Sequence, residues 1–309
     1  MESPTGSATA RTLLFIALAL FALFYLVTFV RAILKKRQEK PGGTGPTPLG
    51  LGIGFVTNFF DTLGIGSFAT TTSLWRFLKM CPDEHIPGTL NVGHTIPTIA
   101  QAFIFTSIVP VETTTLVLMI VAAVLGAWLG AGVVSRWPRR AIQIGMGVCL
   151  LGAAFVVASQ AMNVMPSGGE AIGVTGVRLA IAVLGNFLLG GLMMLGIGLY
   201  APCLVLVSLV GMNVRAAFPI MMGSCAFLMP IASARFVRTG KFDLKNAVAL
   251  AIGGLPAVLL AAFLVKSLPL TVLRWVVVGV VLYTSFSLIR TAQRERAAAM
   301  KAAPEPAGG

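Results

Sequence analysis

At 309 residues, 57% hydrophobic and 11% charged, with a mean hydropathy of +0.91, the chain is too apolar to present a water-solvated surface throughout. A hydrocarbon core of roughly 30 Å takes about 20 apolar residues per helix, so this length accommodates about seven to nine crossings and leaves no room for a separate soluble domain. The net charge of +13 does not mark a nucleic-acid partner, because the basic residues fall in short clusters between apolar runs and not along one helix or arm.

From the N-terminus, apolar segments cover residues 13–34, 49–78, 89–108, 113–134, 141–161, 179–210, 216–236, 247–265 and 272–289. The first is read as a retained helix, since its apolar stretch outruns a typical leader core and no convincing small-x-small cleavage site precedes the Lys cluster after it. Lys35, Lys36, Arg37 and Lys40 form that cluster; Arg136, Arg139 and Arg140 form a second; Arg235, Arg238, Lys241 and Lys245 a third; and Arg290, Arg294, Arg296 and Lys301 a fourth. Cys81, Cys149, Cys203 and Cys225 are widely spaced, three of them inside apolar runs. They read as packing residues, with no disulfide framework.

Segments 49–78 and 179–210 stand apart. Each is about 30 residues long and broken near its middle by glycines, which is too long for one plain span and enough for two half-helices. They also carry a repeat: Leu63-Gly64-Ile65-Gly66 recurs as Leu195-Gly196-Ile197-Gly198, an offset of 132 (195 minus 63). At the same offset Ala69 matches Ala201, Leu74 matches Leu206, Pro87 matches Pro219, and Ile99-Ala100 matches Ile231-Ala232.

Charge then constrains topology. With Lys35 to Lys40 cytoplasmic the N-terminus lies outside, and a single crossing by 49–78 would put Arg136, Arg139 and Arg140 outside too, against the positive-inside rule. A re-entrant hairpin there, and another at 179–210, keeps every basic cluster inside, leaving Lys266, Arg178 and Arg215 on the outer side. A long kinked or tilted span in place of each hairpin is the alternative. The expected fold is an all-α polytopic membrane protein of two inverted repeats, each with a Gly-interrupted (re-entrant or broken) helix plus about three transmembrane helices, preceded by one N-terminal helix. The divisions are 1–46 (first helix and basic linker), 47–162 (unit 1), 163–178 (external linker), 179–290 (unit 2) and 291–309 (a polar cytoplasmic tail, expected to be disordered). The membrane is expected to be the bacterial inner membrane, with the C-terminus cytoplasmic.

Irregular backbone survives at membrane depth only where protein or water satisfies it, so the glycine pairs mark candidate cavities. Ser67, Thr70 and Thr71 follow Gly66, and Pro202 follows Gly198 in the first turn of a second half-helix. Two helix N-termini facing one cavity, each with roughly half a positive charge, suit a small anion. The plain reading of the same residues is close helix packing, with hydroxyls bonding their own backbone. Asp61, near Asn58, reads either as a site for a coupling proton or cation or as a half-helix cap. His94, near Asn91, reads as a packed histidine or as a donor to an anion; in the second unit Gly223-Ser224-Cys225 stand at the positions of Asn91, Val92 and Gly93, again small and polar. Arg235 is an interfacial anchor. The run from Cys81 to His85 reads as a solvated turn and not as a metal site, and no catalytic motif is found.

These residues resemble the sulfite exporter TauE/SafE family of membrane permeases, whose halves each begin with a Gly-rich motif followed by a proline. Gly196-Ile197-Gly198-Leu199-Tyr200-Ala201-Pro202 fits that pattern, as does Gly64-Ile65-Gly66-Ser67-Phe68-Ala69-Thr70, with Thr70 at the place of the proline. The resemblance covers about residues 49–289 and implies a permease for sulfite, a sulfonate or a related organic anion. The expected partners are a small anionic solute, the lipid bilayer and a coupling proton or cation, with homo-oligomerisation open and no cofactor. The alternatives are a transporter of a cation or neutral solute and a membrane-embedded enzyme.

Overall fold

The computed structural model describes residues 4–39, 45–134, 136–164, 169–196 and 198–264, and further on residues 275, 278, 279, 282, 283, 285, 286, 289, 290 and 292–294. The last expected span and the tail therefore lie largely outside the described residues, as do Lys40, Ile197, Lys266, Arg296 and Lys301. The rest is helical: α1 (Pro4–Glu39), α2 (Pro48–Thr62), α3 (Ser67–Leu78), α4 (Ile86–Ile108), α5 (Thr113–Val134), α6 (Arg139–Ala161), α7 (Gly176–Met193), α8 (Tyr200–Leu209), α9 (Ala217–Thr239) and α10 (Leu244–Leu264). Among the described residues there is no strand.

Five described stretches are long and apolar enough to cross a membrane: Arg11–Lys36, Thr113–Val134, Gly176–Met193, Val214–Thr239 and Leu244–Phe263. Their outer faces expose Leu20 and Leu23 on α1, Val121 and Leu125 on α5, Leu184 and Leu188 on α7, and Leu259 and Phe263 on α10. Such a surface suits lipid and not water. Helix α4 has the length of a span but not its hydropathy, and its burial explains why: Thr89, Asn91, His94, Thr95, Thr98 and Gln101 are all turned inward. With α9, against which it packs, α4 forms the interior of the bundle.

Both long segments break where the glycines predict. Helix α2 starts at Pro48, with the Thr47 hydroxyl accepting from Gly50 N at 3.1 Å. It ends before Gly64 and Gly66, whose φ values of +84° and +91° are open to glycine and strained for other residues. Gly196 and Gly198, at +87° and +81°, repeat this geometry between α7 and α8.

Each broken pair folds back. Asn246 Nδ2 donates to Met80 O at 2.9 Å, just beyond α3, and Asn246 and Ala249 also abut Gly50 in the first turn of α2. The end of α3 thus returns to the start of α2. Similarly Asn213 N, beyond α8, donates to Ala171 O at 2.8 Å, and Gly211 abuts Arg178 in the first turn of α7. These closures lie at opposite ends of α4. Thr89 in its first turns accepts from Asp243 N at 2.8 Å, near Asn246, while the loop after its last turn brings Glu112 N to Ile172 O at 2.8 Å.

The packing is reciprocal: α5 lies against α7 and α9, and α10 against α2 and α4. Small residues make these seams. A Cβ on Gly126 of α5 would sit 1.9 Å from Phe187 O of α7, and one on Gly253 of α10 would sit 2.2 Å from Leu51 O of α2. Association within lipid, where burying apolar surface gives little advantage, depends on this close approach.

Two local expectations change or sharpen. The run from Cys81 to His85 is not a solvated turn: Cys81 and Asp83 are each 8% exposed, because Arg76 at the end of α3 forms an ion pair with Asp83 and Gln143 Nε2 donates to Asp83 Oδ2 at 3.0 Å. Burial, with the nearby Asp243, Asp83 and Glu84 carboxylates adding to it, pushes the Cys81 thiol up to about 12, which leaves it protonated and unreactive. Arg235 anchors against α5, donating to Trp128 O at 2.7 Å with its guanidinium 5.3 Å from the Trp128 ring centroid.

Candidate functional site between the two helix breaks

The two breaks meet. Asp61, Gly66, Ser67 and Phe68 from the first and Gly198, Leu199 and Tyr200 from the second line one cavity, closed by Thr98 of α4, Met193 of α7, and Cys225 and Met229 of α9. It has room for about one water molecule. The first residues of α3 and α8, Ser67 and Tyr200, both stand on its wall, so two helix N-termini converge there.

Its polar wall is a connected network. Asp61 Oδ1 accepts from Ser67 N at 2.6 Å, capping α3 from across the break. Gln101 Nε2 donates to Asp61 Oδ2 at 3.0 Å and to Thr62 Oγ1 at 2.9 Å. Tyr200 OH donates to Gln101 Oε1 at 2.5 Å, tying α8 to α4. Among the described residues no basic side chain pairs with Asp61, which is 3% exposed. Its partners are all neutral donors.

A second polar cluster lies beside the cavity. His94 Nδ1 is 3.0 Å from Asn58 Oδ1 and Nε2 is 3.2 Å from Thr71 Oγ1, with the ring stacked on Phe68. Both nitrogens are thus engaged by protein. Asn58 Nδ2 donates to Gly54 O at 2.7 Å. His94 holds α2, α3 and α4 together behind the wall formed by Phe68.

The other sequence candidates are distributed around these two groups. Thr70 bonds its own helix, at 3.2 Å to Gly66 O and 2.9 Å to Ser67 O. Gly64 abuts Phe218 and Met221. Asn91 Nδ2 donates to Pro87 O at 2.8 Å; its Oδ1 is buried without a partner. Ser224 accepts from Asn186 Nδ2 at 2.9 Å, between α7 and α9. Gly196 forms the turn, and Pro202 is half-buried in the first turn of α8. Of the candidates, Asp61, Gly66, Ser67 and Gly198 line the cavity.

Sequence reasoning missed Gln101, Tyr200, Thr62 and Thr98. A signal existed in α4, where His94, Thr98 and Gln101 stand at i, i+4 and i+7, one polar face of a helix in a membrane chain. Tyr200, two residues after Gly198, gave no such signal.

A lipid-facing helix bundle whose interior is built on two facing helix breaks defines a polytopic membrane protein of the transporter class. The chain belongs to the sulfite exporter TauE/SafE family, whose model matches residues 3–157 and 178–309. No curated protein matches it. Membership makes the chain a membrane transporter of a small solute, in contact with lipid.

Proposed function

We propose that this transporter moves a small anion, such as sulfite, a sulfonate or a related organic anion, across the bacterial inner membrane by alternating access. The observation carrying this is the convergence of the α3 and α8 N-termini on one cavity. Together they offer about one positive charge at a cavity lined by no Lys or Arg. The water-sized cavity corresponds to a closed state, in which the breaks must separate to admit solute.

Two inverted units, 47–162 and 179–290, are part of this reading. Supporting it are the reciprocal packing and the fold-back closures at opposite ends of α4. The orientation, N-terminus outside and C-terminus cytoplasmic, is supported by Lys36 against Phe242, which puts the first basic cluster and the third, Arg235 to Lys245, at one end of the bundle. Gly64, Gly66, Gly196, Gly198 and Pro202 shape the breaks. Ser67 donates to solute, Thr70, Thr71, Asn91, His94 and Ser224 support the wall, and Asn58 and Asp61 belong to coupling.

A cation is the second reading, favoured by Asp61 having no basic partner among the described residues. Thermal unfolding of the purified protein with sulfite, sulfonates, thiosulfate, sulfate, carboxylates and matched cations separates the two, because a ligand that binds the native state raises its stability. Selective stabilisation by a sulfur oxyanion or sulfonate is expected. Stabilisation by cations alone would replace the anion reading.

A further inference from the structure

Asp61 occupies the place that the proposed anion needs. Its Oδ1 accepts from Ser67 N at 2.6 Å, the amide at the positive end of α3 and thus a donor that a bound oxyanion would use. An ionised Asp61 and an anionic solute therefore compete for one helix end within one small cavity, where like charges repel strongly. A protonated Asp61 leaves that end unopposed.

The neighbouring bonds extend the consequence. Gln101 donates through Nε2 to Asp61 Oδ2 and accepts through Oε1 from Tyr200. A proton on Oδ2 needs an acceptor, and rotating the Gln101 amide by half a turn supplies Oε1. Thr62, whose hydroxyl donates to Asn58 O at 2.8 Å, then turns to donate to Oε1, and Nε2 donates to the Tyr200 oxygen. The Tyr200 proton is left free to point into the cavity. One proton on Asp61 thus frees the Tyr200 O–H and leaves Oδ1 a neutral acceptor at Ser67 N–H, which an anion displaces without facing a like charge.

Other titratable groups face this point without replacing it. Tyr200 of α8 and Cys225 of α9 line the cavity, and Cys203 lies buried in α8. His94 of α4 faces Asn58 and Thr71. From α10, Ala249, Leu250, Gly253 and Gly254, with Asn246 at the end, abut α2; none of these titrates.

Resting on the anion reading, we propose that Asp61 is a proton-linked competitor of the substrate, so that each anion enters the site together with one proton on Asp61 and is bound by Ser67 N–H and the Tyr200 hydroxyl. Movement of the loaded site would then be proton–anion symport, one to one.

The test is isothermal titration of the purified protein with ethanesulfonate and with sulfite, each in two buffers of different ionisation heat. Protons exchanged by sulfite itself are subtracted. Wild type is expected to take up about one proton per anion above the Asp61 transition, and Asp61→Asn none. One pH unit above the transition only about a tenth of wild type is competent, so Asp61→Asn should bind about tenfold tighter there. Tyr200→Phe should weaken binding while keeping proton uptake. Anion binding by wild type without proton uptake overturns the competition and leaves the anion reading standing. Folded Asp61→Asn that binds no tighter than wild type also overturns it. Absence of binding by either anion at every pH removes the anion reading and the competition with it.

Discussion

The break between α2 and α3 and the break between α7 and α8 share one backbone, with paired positive-φ glycines at matching places, yet their side chains are of opposite kinds. At the offset that aligns Gly64 with Gly196, Asp61 faces Met193, Thr62 faces Met194, Asn58 faces Gly190 and His94 faces Ala226. The first break is lined by a carboxylate, hydroxyls and amides; the second is lined by sulfur and aliphatic groups, with Tyr200 as its polar contribution. The paired helix ends come from backbone alone, whereas the carboxylate that lines the cavity stands in the first break.

That contrast can be broken at the glycines. Gly66→Val and Gly198→Val each force a β-branched residue into a glycine conformation, at a cost of about 1–3 kcal/mol, and a Cβ on Gly198 would also stand 3.3 Å from Phe68 Cβ. Anion flux into proteoliposomes should be lost in both variants; normal flux in one would mean that the two breaks are not equivalent in backbone role. Making the halves chemically alike is the next largest change. Asp61→Met copies Met193 and leaves Ser67 N–H without its acceptor and Gln101 Nε2 with Thr62 alone, so thermal unfolding should show a loss of about 1–3 kcal/mol. Asp61→Asn keeps an acceptor and should cost less.

A smaller effect concerns a feature that the two units share, a carboxylate that caps the helix after the inner pair. Glu112 accepts from Thr114 N at 2.9 Å and Thr115 N at 2.6 Å before α5, and Asp243 accepts from Asn246 N at 2.8 Å in α10. Partial burial alone would raise Glu112, but these N–H donors together outweigh it and hold its carboxyl below the usual value. The sign follows: its stabilisation is full above the unfolded value and is lost as pH falls through the lower folded value. Glu112→Ala should cost about 1 kcal/mol at neutral pH and progressively less in acid, read from unfolding midpoints across pH. A constant cost would assign the loss to packing. The smallest change expected is at Arg235, where Trp128→Leu removes a cation–ring contact of about 0.5–1 kcal/mol and should leave flux intact.

Much of the architecture was legible because its causes are local. Glycines at positive φ end α2 and α7, Pro48 starts α2 and Pro202 fits the first turn of α8, and each of these acts within a few residues. The His94, Thr98 and Gln101 face of α4 was equally visible as spacing. The partner of that face was not, since Gln101 reaches back to Asp61 and forward to Tyr200, contacts that depend on how three helices pack. Likewise the acidic run after Cys81 looks solvated until Arg76 and Gln143 are brought against it.

Sequence by itself determined that the chain is membrane-embedded and that two segments break at glycine pairs, because hydropathy and backbone preference are properties of short stretches. Tertiary structure decided that the breaks face each other, that Asp61 caps α3 inside their shared cavity, and that His94 stands behind the wall. Those outcomes depend on which helix faces meet, and in an apolar sequence the meeting is set by close packing of small residues far apart in the chain.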